Sequence, residues 1–164
     1  MTLATVRAGG GFVWNGQSFR VALGRGGITS NKREGDGATP AGNLPLRRLL
    51  YRADRVLIPR TVVPREPIAP GDGWCDDPAD ADYNRQIKLP HAASHEALWR
   101  YDALYDIVGV LGWNDAPVIR ERGSAIFLHA ARPDYGITEG CVALALTDLR
   151  KVLAEGLTGV EVIP

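Results

Sequence analysis

The chain has only two cysteines, Cys75 and Cys141, in 164 residues. Two thiols do not make the disulfide framework of a small secreted domain, so the fold has to rest on an apolar core. They are expected to stay unpaired, because Cys75 lies in a Gly- and Asp-rich loop with its own local logic. Surplus charge is missing as well: 19 Lys and Arg balance 19 Asp and Glu. That argues against nucleic acid as a partner, since displacing its counterions needs an excess of positive charge. No apolar run approaches the roughly 18 residues of a membrane span, so no transmembrane segment is expected. Met1–Arg7 lacks the basic start and long apolar stretch of a secretory signal. There is no internal repeat, low-complexity tract or long linker, and residues 1–164 are expected to form a single domain. Metal ligation is not expected either. His91 and His95 stand four apart without the Glu of a zinc-protease helix, and Asp72, Asp76, Asp77, Asp80 and Asp82 lack calcium-loop spacing.

What is present is glycine (19) and proline (11), spread along the chain, which suits many short strands joined by turns. Strands are expected at residues 3–8, 11–15, 18–23, 55–60, 106–111, 125–130, 141–145 and 159–163. Asn15-Gly16 is a strong hairpin signal between two of them. Residues 24–43 read as loop and 64–82 as irregular, and so long a loop in a compact domain is usually functional. Residues 94–105 read as a short helix or an irregular crossover. Thr147 is placed to cap a helix over 148–155, with Leu149, Val152 and Leu153 inward and Gly156 as its stop. The fold class is mostly β, with one or two short helices.

Chemistry concentrates near the C-terminal end. His129 ends the apolar run Ala125–Leu128, and twelve positions later Cys141 follows Gly140. A thiolate is the reactive form of a thiol whose ordinary pKa is about 8.5, and a nearby imidazole can generate it. Gly140 permits a tight turn, so that Cys141 and neighbouring N–H groups can face one carbonyl. Cys141 is therefore the candidate nucleophile and His129 the candidate base. No Asp or Glu is obviously placed to orient the imidazole.

Thr138-Glu139-Gly140-Cys141-Val142 with the upstream His129 resembles the signature of the L,D-transpeptidases, the YkuD-type catalytic domain. Gly35–Gly42, with Thr39-Pro40-Ala41-Gly42, looks like an early segment of that domain. Gly73–Asp77, Tyr83-Asn84-Arg85 and Arg122–His129 look like a divergent, mostly proteobacterial branch. The resemblance covers roughly residues 10–163. It implies a β-sandwich or barrel-like fold and a cysteine transpeptidase that crosslinks peptidoglycan through a thioester on a diaminopimelate carbonyl. The partners would be donor and acceptor stem peptides, the location periplasmic or wall-associated, and the enzyme a monomer without metal or organic cofactor. The resemblance also suggests the Ala130 carbonyl as the orienter of His129. Cys141 and Gly140 N–H groups would form the oxyanion hole, and Thr138 would shape the loop or bind substrate. Arg122, Arg85 and Arg132 are candidate partners for stem-peptide carboxylates; Tyr83, Trp113 and Tyr135 are candidate groove walls.

Three departures stand out. Ala143 replaces the Arg or Asn usual two positions after the Cys, Ala130 replaces a Gly or Ser after the His, and the His-to-Cys loop is short. The first leaves the donor substrate open and permits unusual crosslinks, such as 1-3, beside the ordinary 3-3 type. Alternatives are an L,D-carboxypeptidase or amidase on the same bonds, a sortase, and a non-enzymatic peptidoglycan-binding module.

Overall fold

The computed structural model describes residues 2–164. Its spine is β6 (Gly42–Tyr51), the longest strand. On one side β6 pairs antiparallel with β11 (Ile107–Leu111), followed by β12 (Phe127–Ala130) and, in parallel, β13 (Val142–Leu144). On the other it pairs antiparallel with β14 (Gly159–Ile163), followed by β1 (Leu3–Arg7), β2 (Gly11–Trp14) and β3 (Gln17–Phe19). β7 (Arg65–Pro67) adds to β6 in parallel. The chain after β3 then reaches the opposite edge. Ala22 and Ala143 exchange backbone hydrogen bonds of 2.8 and 2.9 Å. This contact nearly closes the sheet into a barrel and covers its edge strands.

The short strands β4 (Ile28–Thr29) and β5 (Thr39–Pro40) pair with each other. A separate three-stranded sheet has β8 (Asp72–Cys75) between β10 (His95–Ala97) and β9 (Gln86–Lys88). The only helix among the described residues is α1 (Leu146–Ala154), which buries Leu149, Val152 and Leu153. Those side chains join Phe12, Leu44, Leu128, Val142 and Leu144 in the main core. A second core packs Trp74, Leu98, Tyr105, Val108 and Phe127 around Cys141.

The mostly β, barrel-like class holds, and the hairpin at Asn15-Gly16 forms with both residues at positive φ (48° and 75°). Four local expectations are corrected. Residues 55–60 form no strand: Pro59 lacks an N–H, and β7 is the segment that adds to β6, leaving Leu57 and Ile58 exposed. Of the two readings of residues 94–105 the helix is the one overturned: the segment is irregular apart from the short β10. Residues 64–82 include β7 and β8. The helix starts at Leu146, with Ala145 at its N-cap and no side-chain cap from Thr147.

Candidate active site

Alternation along a strand puts successive side chains on opposite faces. On β12, Leu128 enters the main core while Phe127 and His129 point to the other side; on β13, Val142 and Leu144 enter the same core. Cys141 and Ala143 therefore share a face with Phe127 and His129. The parallel register sets His129 beside Ala143 and Leu128 beside Val142, so Cys141 sits diagonally across from His129. Both line one cavity of about 410 Å³, together with Glu34, Glu96, Arg100, Tyr105, Arg132 and Thr138.

His129 Nδ1 lies 2.8 Å from the Ala130 carbonyl. A carbonyl can only accept, so Nδ1 carries the proton and Nε2 keeps a free lone pair. The Tyr105 ring meets the imidazole edge-on at 5.3 Å. Burial is the main cause that lowers the His129 pKa to about 4; the Ala130 bond opposes it.

The Cys141 thiol donates to the Ala125 carbonyl at 3.3 Å and accepts from the Phe127 N–H at 3.4 Å. Burial, then the nearby Glu96 carboxylate, raises its pKa to about 12. Both groups are therefore neutral at pH 7. The thiol proton rests on Ala125 rather than on the imidazole. Ala125 is itself held at φ 53°, where an L residue is strained. Asn84 fixes it there: its Oδ1 accepts from Ala125 N–H at 3.1 Å and from Trp74 Nε1 at 3.0 Å. Its Nδ2 donates to the Trp113 and Asn114 carbonyls.

The turn before Cys141 is closed by Thr138. Its hydroxyl donates to the Cys141 carbonyl at 2.7 Å and accepts from Gly140 N–H at 3.1 Å. Gly140 has φ 131°, and a Cβ there would stand 2.7 Å from the Ala38 carbonyl oxygen. Only glycine fits that close approach without displacing backbone.

The other candidate residues lie elsewhere. Tyr83 is buried; its hydroxyl donates to Glu34 at 2.8 Å and accepts from Gly123 N–H at 3.0 Å, bracing the segment before β12. Arg85 lines a separate cavity with Arg47, Arg48 and Trp74. Arg122 faces a third hollow, where its carbonyl accepts from Trp113 Nε1. Tyr135 lies in a groove near the N-terminal hairpin, under the Arg20 guanidinium at 4.2 Å. Of the three arginines named from sequence, only Arg132 reaches the Cys141 cavity. Arg100, which the sequence reading missed, supplies the second cation. It is gripped by Asp102 through bonds of 2.8 and 2.7 Å. Glu34, Glu96, Tyr105 and Ser124 were also missed. Glu34, Tyr105 and Ser124 come from irregular segments, and Glu96 from a three-residue strand too short to show a period. Both cysteines are free.

One group among the described residues could offer three metal ligands: Asp80, Asp82 and His91, with ligand atoms within 4.8 Å of one another. His91 Nδ1 already accepts from Ala93 N–H and Nε2 faces Asp82, so these side chains close their own turn.

A nearly closed β-barrel thus brings a buried thiol and a buried imidazole to one cavity. The family is shown independently: the model of the YkuD L,D-transpeptidase catalytic domain matches residues 2–163, and the chain belongs to that family. Its members act on peptidoglycan and are generally extracytoplasmic. No described helix is long and apolar enough to cross a membrane. No curated protein and no solved structure is significantly similar to the chain.

Proposed function

We propose that residues 1–164 act as one catalytic unit, a monomeric periplasmic cysteine transpeptidase that crosslinks peptidoglycan stem peptides. The observation that carries this reading is the shared cavity of Cys141 and His129, with Nε2 of the imidazole unprotonated. Substrate entry draws the thiol proton from the Ala125 carbonyl to His129 Nε2 as sulfur attacks a diaminopimelate carbonyl. The C–S bond forms and the carbonyl electrons move to oxygen. Collapse of this tetrahedral centre breaks the C–N bond, and His129 returns the proton to the leaving amine. An acceptor amine then attacks the thioester, His129 takes its proton, and the amide forms as the thiol is regenerated.

The Cys141 N–H serves as oxyanion donor, because Thr138 already engages the Gly140 N–H. Thr138 itself acts by shaping the loop. Ala143 leaves a methyl where the family's better-known members carry Arg or Asn, and Arg132 takes over recognition of substrate carboxylates. Arg85, Arg122, Tyr83 and Tyr135 are not part of this contact set. Incubating the protein with defined tetrapeptide muropeptides and fragmenting the products tests the reading. Dimers that require Cys141 support it, and their fragments separate 3-3 from 1-3 linkage. Shortened monomers alone replace it with a hydrolase.

A further inference from the structure

The same cavity holds a carboxylate that the thioester chemistry does not use. Glu96 projects from β10 into it, and Glu96 Oε1 accepts a very close hydrogen bond from the Tyr105 hydroxyl. No described cation forms an ion pair with Glu96. Arg100 acts on it only at longer range, being committed to Asp102 and lying over the Tyr105 ring 5.1 Å from its centroid. Asp76, another wall carboxylate, accepts the Ser94 hydroxyl at 2.7 Å. A carboxylate withdrawn from water without a cation is costly, and a ligand can supply the missing charge.

We propose that Glu96 receives a primary ammonium group of the substrate, and that seating this cation beside Cys141 activates the thiol. The inference rests on Cys141 being the nucleophile. The Tyr105 hydroxyl fixes one oxygen of the carboxylate and leaves Oε2 for an ammonium, which has three donors. An unneutralised carboxylate disfavours a thiolate next to it; a bound cation removes that penalty. The other charges acting on the thiol or lining its cavity are Glu34, Asp76 and Glu139 on one side and Lys32, Arg100 and Arg132 on the other. Arg132, on the same wall and without an ion pair among the described residues, can take a carboxylate while Glu96 takes the amine, so the cavity suits a residue whose side chain ends in an amino-acid zwitterion. A thiol that ionises only with the right cation present is shielded from stray electrophiles.

The test is binding of the tripeptide L-Ala-D-Glu-diaminopimelate, with its side-chain amine free or acetylated, measured by calorimetry. The wild type should bind the free amine at least about ten-fold more tightly, and Glu96→Gln should erase the difference while binding the acetylated peptide unchanged. Equal binding of both peptides by the wild type overturns the site. In a Cys75→Ser background, Glu96→Gln should also raise the rate of Cys141 alkylation by iodoacetamide at pH 7 several-fold. An unchanged rate overturns the coupling to the thiol. Tyr105→Phe keeps the ring beside His129 and should weaken free-amine binding alone. Thioester formation on a tetrapeptide reports separately on the transpeptidase reading: free-amine selectivity without a thioester would sink that reading and leave the ammonium site standing. Slower thioester formation in Glu96→Gln assigns the ammonium to the donor, slower aminolysis of a preformed thioester to the acceptor, and each supports the site.

Discussion

Cys141 and His129 are buried deeply enough that neither carries charge before substrate arrives. Cys141→Ala should abolish product formation, and His129→Asn should lower turnover by roughly 10²–10⁴-fold with a smaller change in substrate binding. Steady-state kinetics on one muropeptide check both. The two pKa shifts also set how stability responds to pH. His129 titrates near 6.5 when unfolded and about 4 when folded, so the unfolded chain binds more protons between these values. Its contribution is complete above pH 6.5 and is lost as pH falls toward 4, by roughly 3 kcal/mol in all. Denaturant melts from pH 7 to 4.5 should show this loss, and His129→Asn should flatten the curve. Cys141 has the opposite sense. With a folded pKa raised to about 12, its contribution is lost as pH rises above the ordinary thiol range. Alkylation of Cys141 without added substrate should therefore climb steadily from pH 7 to 10 without a plateau; a plateau below pH 8 would contradict a neutral resting thiol.

At the level of elements, two short segments set the geometry of the site. The turn from Thr138 to Cys141 depends on Gly140, whose φ and whose contact with Ala38 exclude a side chain. Gly140→Ala should cost about 2–4 kcal/mol of stability and displace Cys141, which thermal melts and residual turnover would show. The second segment delivers the Ala125 carbonyl to the thiol and hangs on Asn84. Asn84→Ala strands the Trp74 indole N–H, the Ala125 N–H and two carbonyls, at about 2–4 kcal/mol; full stability in this variant would contradict that role. The turn was legible in the sequence because Thr-x-Gly-Cys carries its chemistry within four residues. β6 was not. Pro45 reads as a strand breaker, and Arg47 is extra to the register between Leu46–Leu111 and Arg48–Val110. That bulge shifts the inward phase from Leu44 and Leu46 to Leu49, hiding the alternation. Glu96, Arg100 and Tyr105 were hidden for a related reason: β10 is only three residues long, and bends and turns fill the rest of 94–105, so neither period is sustained.

For the whole molecule, the segment that closes the barrel also holds part of the cavity wall. The chain after β3 that pairs with Ala143 also carries Leu23 and Arg25, whose backbones hydrogen-bond Thr138. The site thus depends on contact between residues more than a hundred positions apart, and only the folded chain assembles it. The most direct measurement is mass spectrometry of defined monomeric muropeptides incubated with the wild type and with Cys141→Ala. Crosslinked dimers and a thioester adduct on Cys141 in the wild type alone are the result expected here. Dimers made equally by both proteins, or no change that depends on Cys141, would contradict the assignment of Cys141 as the nucleophile of a transpeptidase.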